Sequence, residues 1–499
     1  MSIARSLPRA LALAGAALLA LPLCAQDGAD LAGLWRGELQ APDLPGPLVV
    51  ELLLEPPAED GRMRGSAAVE HDHSPVAGEY RPGERLALLE ADFDDPTTIT
   101  FAVKLAADGG LEGEVRKGAL RAPVSAERVE GEPRFFHDRG FELPDERPLT
   151  VDATLLPDEL AARLTERLVE AVERSGALGV STAVVRGGEL ADVRSLGWED
   201  VAGGVPASGR TMYRWASISK PLTAVAALQL AERDHLDLDR DVREYVPEFP
   251  AKPYPITARQ LLCHQGGVVH YSNGEVIRTV REYEVEHPMA DRVRALDVFK
   301  ESPLVAVPGE SYRYTTHGYA LLGAVIQRAG GATYVEQVRA RILEPLGMAS
   351  TQPDHAWVAI PRRAVGYRSS RIGLGTLDPR REVSWKVPGG GWISTVGDLA
   401  RFGLGLLEGR LLEPETQAEM ATSQVPGDGR DRSYGYGIGT GTFEGHAVLS
   451  HSGSQSAAAS YMLLCPGRGL GVFVMSGTRN FEPAPLAREM LSVLLEEPR

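Results

Sequence analysis

Ser217 and Lys220 stand three residues apart in Tyr213-Arg214-Trp215-Ala216-Ser217-Ile218-Ser219-Lys220-Pro221. On a helix, that spacing puts both side chains on one face. An Ala-rich run follows through about Arg233, and Pro221 suits a first helical turn, where a missing N–H costs nothing. Ser217 is therefore expected at a helix N-terminus, where free N–H groups and the dipole favour developing negative charge. A serine hydroxyl is a poor nucleophile until a neighbouring base takes its proton. Lysine can be that base only when part of it is neutral. Lowering its pKa from ~10.4 to ~8 takes about 3 kcal/mol. A helix N-terminus supplies about 1–2 kcal/mol at best. Desolvation or a second cation must supply the rest, so this chemistry requires Lys220 in a buried cleft. In isolation the same spacing also fits a solvated lysine on an ordinary amphipathic helix. Ser219 is a second hydroxyl, but it adjoins Lys220 and points to another face.

The elements that would hold this pair can be read along the chain. Its 499 residues suffice for two or three domains, and 43% hydrophobic content provides for sizeable cores. A net charge of −16 argues against nucleic acid or anionic membrane surfaces as partners. Arg5 and Arg9 followed by the apolar run Ala10 to Leu21 read as a signal peptide, residues 1–25, with cleavage after Ala25. That run is too short to span a bilayer, and no other is long enough. The mature chain is thus expected to be exported, to a periplasmic or extracellular space, with no membrane span. Cys263 and Cys465 would then be its only thiols, and whether they pair is open.

Residues 28–129 read as a small all-β barrel or sandwich. Ile99, Phe101, Val103 and Leu105 alternate strictly, and Leu48–Leu54, Arg85–Phe93 and Leu111–Arg116 form further short strands between Gly-rich turns. Gly33-Leu34-Trp35-Arg36-Gly37 resembles the opening of lipocalin-like barrels. His71-Asp72-His73 has metal-ligand residue types but reads as polar residues in a loop, so no metal and no cofactor are expected. Residues 130–156, rich in proline and charge, suit a linker. From Pro157 an amphipathic helix carries Leu160, Leu164, Leu168 and Val172 and stops at Gly176. Two strands precede Ser217 and three stand near the end, at Ala447–His451, Ser460–Cys465 and Leu470–Met475. The expected fold is α/β of the α+β type. One antiparallel five-stranded sheet has the first and last helices on one face and the helical middle of the chain on the other.

Two further stretches join the serine motif. Pro308-Gly309-Glu310-Ser311-Tyr312-Arg313-Tyr314-Thr315-Thr316-His317 lies in the middle, and Ser450-His451-Ser452-Gly453-Ser454 ends a predicted strand. Leu261-Leu262-Cys263-His264-Gln265-Gly266-Gly267, Gly390-Gly391-Trp392 and Tyr434-Gly435-Tyr436-Gly437 follow in matching order. Together these resemble the serine β-lactamase and penicillin-binding-protein superfamily, class C β-lactamase-like, over residues 157–497. The resemblance implies that Ser217 forms an acyl-enzyme and that Lys220 and Tyr314 share the proton work. Either Lys220 is the base, or it is the charge that keeps Tyr314 a phenolate. The backbone N–H groups of Ser217 and Ser454 would form the oxyanion hole, with Thr316, His451, Ser452 and Gly453 contacting substrate.

Two departures bear on substrate. The family's Tyr-x-Asn reads Tyr314-Thr315-Thr316 here, which removes a side-chain amide. The family's lysine in the third motif is His451, so the substrate carboxylate loses a permanent cation. Activity on anionic substrates would then rise as the pH falls toward 6 and His451 gains its proton. The chain reads as a serine hydrolase acting on esters or small peptide-like amides. The alternatives are a D-Ala carboxypeptidase or β-lactamase proper, and a non-catalytic binding or assembly protein on the same fold. A small molecule or short peptide is the expected partner, and the oligomeric state is not read from sequence.

Overall fold

A computed structural model describes residues 29–40, 47–69, 72–91, 99–117, 120–133, 140–285, 287–369, 374–378, 381–425 and 433–497. The expected signal peptide and His71 lie outside these residues. Two compact units emerge, Met1–Glu146 with Ser369–Leu377, and Arg147–Arg368 with Asp378–Arg499.

The first unit is a closed antiparallel barrel of eight strands in sequence order. They are β1 (Gly33–Leu39), β2 (Leu48–Leu54), β3 (Arg62–Val69), β4 (Asp72–Arg81), β5 (Leu86–Ala91), β6 (Ile99–Leu105), β7 (Leu111–Lys117) and β8 (Leu120–Val129). Pairing of β1 with β8, from Leu34 opposite Val129 to Leu39 opposite Val124, closes the ring and removes both open edges. Alternate residues point inward, so Trp35, Leu52, Met63, Leu89, Phe101 and Val124 share one core. The alternation that marked β6 in sequence is this inward set. His73, expected in a loop, instead belongs to β4, where it pairs with Ala68.

The second unit is built on one antiparallel sheet. Its main strands are β9 (Leu149–Thr154), β10 (Gly179–Arg186), β11 (Glu189–Asp200), β12 (Gly439–Phe443), β13 (His446–Gln455), β14 (Ala458–Cys465) and β15 (Leu470–Ser476). They run in the order β9-β11-β10-β15-β14-β13-β12, and the short strand Val205–Pro206 pairs with β11. The five expected strands form its centre, and β9 and β12 extend it at the two edges. Sequence reading missed both edges for local reasons. β9 carries Thr150, Asp152 and Thr154, is mostly exposed, and lies within the stretch expected to be linker. β12 reads Gly-Thr-Gly-Thr-Phe, with no apolar alternation. The boundary also differs at Ser369–Leu377, inside the expected hydrolase domain, which groups with the barrel unit. There Leu374 and Gly375 pair with Glu142 and Phe141.

Helix α1 (Asp158–Ser175) ends at Gly176, whose φ of 68° is the left-handed cap that glycine adopts without strain. Its apolar stripe packs with α5 (Pro483–Glu496) on one sheet face. Leu160, Leu164, Leu168 and Val172 share a core with Leu486, Met490 and Leu491. Leu164 is fully buried there. Leu164→Ala is expected to cost about 2–5 kcal/mol. A lower guanidinium midpoint at unchanged slope for the second unit's transition would report this loss.

The other face holds α2 (Ser219–Ala231), α3 (Thr316–Ala329) and α4 (Val396–Leu407) over Met462, Phe473 and Met475. α2 is buried on every side through Leu230, so it is no ordinary amphipathic surface helix. Cys263 lies in this core and Cys465 in the opposite one, and both are free thiols. Among the described residues no helix is long and apolar enough to cross a membrane.

Candidate active site

Ser217 sits in a 3₁₀ turn, Ala216–Ile218, that leads directly into α2. It lies two residues before the α-helix proper, with Ile218 between. Ala216 holds a φ of 47°, a left-handed conformation that costs a non-glycine residue about 1–3 kcal/mol. Its surroundings enforce it. The Trp215 N–H donates to Trp392 O (2.8 Å), and Ser460 Oγ donates to Trp215 O (2.8 Å). The turn leaves Ser217 partly exposed above a fully buried Lys220.

Lys220 Nζ lies 3.0 Å from Ser217 Oγ, 3.3 Å from Thr316 Oγ1 and 2.7 Å from Gly389 O. Burial holds its pKa well below the usual lysine value, and the nearby Lys386 lowers it further. A neutral amine has two N–H donors and one lone pair. When protonated, Nζ donates to all three oxygens; as a neutral amine it keeps its donation to the Gly389 carbonyl, and its lone pair is available to one of the two hydroxyls, Ser217 or Thr316. Tyr314 completes the cluster by donating from its hydroxyl to Ser217 Oγ at 2.8 Å. Burial pushes its phenol up to about 12, against a smaller lowering by the bond to Ser217. Of the two proton schemes open in sequence, this electrostatic pattern favours a neutral amine and a protonated phenol.

The local sequence explains where Tyr314 stands. Thr315 is the N-cap of α3, its Oγ1 accepting from the Gly318 N–H at 3.2 Å. Tyr314 therefore directly precedes a capped helix. Two histidines that sequence reasoning did not single out fix this corner. The Thr315 N–H donates to His264 Nδ1 (3.1 Å), and the Thr316 N–H donates to His270 Nδ1 (3.2 Å). Each imidazole thus accepts at Nδ1 and carries its proton on Nε2. Burial lowers both, His270 to about 4. His264 lay within one of the stretches that carried the family resemblance. Nothing local in sequence marked His270.

Strand β13 supplies the opposite wall. β12 pairs with it only up to Ser450, so His451–Gln455 are free of that neighbour. A Cβ at Gly453 would fall 2.2 Å from Trp215 O and 2.3 Å from Ser460 Oγ. Only glycine lets the strand approach the serine turn this closely. Gly453→Val is expected to push the strand away and lower kcat by about 100-fold, the scale of losing one oxyanion donor. Steady-state ester hydrolysis, alongside circular dichroism of the folded variant, checks this.

His451 does not behave as expected. Its Nδ1 lies 2.7 Å from Ser452 O, and its Nε2 lies 3.0 Å from the Tyr434 hydroxyl. The carbonyl can only accept, so Nδ1 carries the proton and Nε2 accepts from Tyr434. Burial, with Lys220 nearby, lowers its pKa to about 3. The imidazole stays neutral at pH 6, and both nitrogens are engaged within the protein. The expected gain of a cation near pH 6 is therefore corrected. Sequence could not show that residue 451 would be buried against Tyr434.

A serine held between an amine and a phenol, where a helical layer meets an antiparallel sheet, has the arrangement of a serine hydrolase site. The chain belongs to the β-lactamase family, whose profile, described as Beta-lactamase, matches residues 162–495. It is 28% identical over 347 residues to the human serine beta-lactamase-like protein LACTB, mitochondrial, covering 56% of this chain and 63% of that protein. It is 26% identical over 324 residues to Protein flp of Staphylococcus aureus strain N315, covering 63% and 62%. The chain thus spans less than two thirds of the length of these curated relatives. Among solved structures, the octameric penicillin-binding protein homologue from Pyrococcus abyssi superposes with a TM-score of 0.57 at 26% identity, covering 68% of this chain and 78% of that one. D-amino acid amidase from Ochrobactrum anthropi SV3 gives 0.58 at 22% identity, covering 68% and 99%, a likeness of fold.

Proposed function

We propose that the chain is an exported serine hydrolase that forms an acyl-serine at Ser217 from an ester or a small peptide-like amide. The observation that carries this is Ser217 Oγ set 3.0 Å from Lys220 Nζ and 2.8 Å from the Tyr314 hydroxyl. Lys220 takes the Ser217 proton as the Oγ–carbon bond forms. The backbone N–H groups of Ser217 and Ser454 hold the oxyanion, a role supported by the close approach of Gly453 to the serine turn. Tyr314 gives its proton to the leaving oxygen or nitrogen and recovers one from the Lys220 ammonium. Water then attacks the acyl carbon by the reverse proton path.

The site fits a β-lactamase or D-Ala carboxypeptidase less well. Thr316 carries no amide, and His451 keeps both nitrogens for the protein. The intact Ser217–Lys220–Tyr314 cluster speaks against a purely non-catalytic binding protein. Incubation with a fluorophosphonate, followed by intact-mass and peptide analysis, should place one adduct on Ser217. An unmodified Ser217, or label elsewhere, overturns the reading. Export rests on Arg5, Arg9 and the apolar run that follows them. N-terminal sequencing of the protein recovered from expressing cells should begin at Gln26, and an uncleaved chain would refute it.

A further inference from the structure

The strand that faces the serine carries no charge for a substrate anion, yet a cation stands elsewhere by the site. Lys386 closes a short 3₁₀ turn, Ser384–Lys386, and leads directly into Val387–Gly390. The Gly389 carbonyl of that segment is the one bonded to Lys220. Lys386 Nζ lies 5.7 Å from the centre of the Tyr271 ring and 5.9 Å from that of Trp385. Tyr271 is half exposed and packs on His270 at 4.3 Å between rings, and His270 in turn meets Tyr314 edge-on at 5.7 Å. A continuous row of side chains thus runs from the serine to this ammonium.

Lys386 is half-buried, and among the described residues it has no hydrogen-bond or ion-pair partner. The carboxylate acting on it is Asp354, which already pairs with Arg214 at 2.5 Å and with Arg363. In a chain of net charge −16, a partly buried cation left without a carboxylate of its own is out of keeping with its surroundings. Two aromatic faces offset only part of its desolvation. A ligand anion would supply the missing charge.

We propose that Lys386 is the anion-binding residue of this site and selects esters or amides that carry a carboxylate a few bonds from the scissile carbonyl. The proposal rests on the hydrolase reading above and adds a substrate class to it. Burial, with Arg214 beside it, holds the Lys386 ammonium down to about 8, a state that a bound carboxylate would relieve. The positive charge absent from position 451 on the strand is thus carried by the loop that also binds Lys220.

The test compares mono-p-nitrophenyl adipate with p-nitrophenyl hexanoate, which differ by a carboxylate in place of a methyl group. Lys386→Met should lower the ratio of their kcat/KM values, adipate over hexanoate, about tenfold. Lys386→Arg should restore most of it, since a charge-assisted contact survives. A ratio unchanged in Lys386→Met overturns the proposal, because a lysine acting only through the Lys220 base would alter both esters alike. A second arm needs no turnover. On a Ser217→Ala background, equilibrium binding of the adipate ester should weaken about tenfold on adding Lys386→Met, relative to the hexanoate ester. If the native chain hydrolyses neither ester, the hydrolase reading fails by itself. The binding arm then still decides Lys386, and equal weakening of both esters overturns it.

Discussion

Ser217→Ala should reduce hydrolysis of p-nitrophenyl acetate by roughly 10⁴-fold or more, the scale on which removing a nucleophile collapses a catalytic unit. Ser219→Ala should keep most of the activity. The two serines are separated by geometry. Ser217 Oγ contacts both Lys220 Nζ and the Tyr314 hydroxyl, whereas Ser219 Oγ is wholly buried and accepts only a long contact, 3.4 Å, from the Trp392 N–H. Losing that contact costs about 0.5–1.5 kcal/mol of stability and no reacting atom. Steady-state rates of the two variants, with thermal melts to verify folding, give the result. Comparable turnover in Ser217→Ala would remove the nucleophile assignment.

Lys220→Met is the second large effect, expected to lower kcat/KM by about 10²–10⁴-fold, the range of a positioned general base. Methionine keeps the length and apolar bulk of the buried stem, so the loss reports the amine. The pH profile of the native chain carries the same argument. In the proposed mechanism Lys220 acts when neutral, and its folded pKa is depressed by burial and then by Lys386. Activity should therefore rise with pH through that lowered pKa and level off above it. The linked stability has the same sign. The unfolded lysine binds its proton more tightly than the folded one, so the contribution of Lys220 to stability falls as the pH drops from the unfolded pKa toward the folded one. Tyr314, held up to about 12, keeps its proton throughout this window. His270 and His451, held near 4 and 3, are already neutral and add no step between pH 5 and 9. In Lys220→Met the acid limb set by the amine should vanish from the residual rate. An unchanged limb would point to another base.

Much of this site was legible because its parts are local. Serine and lysine three apart on a helix share a face whatever surrounds them. The i+4 repeat Leu160, Leu164, Leu168 and Val172 is a helix stripe by itself, and Ile99, Phe101, Val103 and Leu105 are a strand face by themselves. Thr257-Ala258-Arg259-Gln260 forms the capping box that its spacing implies. The edge strands β9 and β12 were not legible, because strands with polar or glycine-rich sequences pair through backbone alone.

The sequence by itself determined the pairing of Ser217 with Lys220 on one face, the order of the three motifs, the periodicity of the main helices and strands, and the acidic charge of the whole chain. Tertiary structure decided the protonation states and the partners. The contacts that set them join residues far apart along the chain. Tyr314 reaches Ser217 across 97 positions, Gly389 reaches Lys220 across 169, and Ser460 reaches Trp215 across 245. A side chain's pKa follows the water removed around it and the charges brought near it. Neither quantity exists until the chain has folded. That is why His451, read in sequence as a substrate contact that gains a proton near pH 6, became a neutral acceptor for Tyr434, and why Lys386, unremarkable in sequence, stands at the end of a row of rings that leads to the serine.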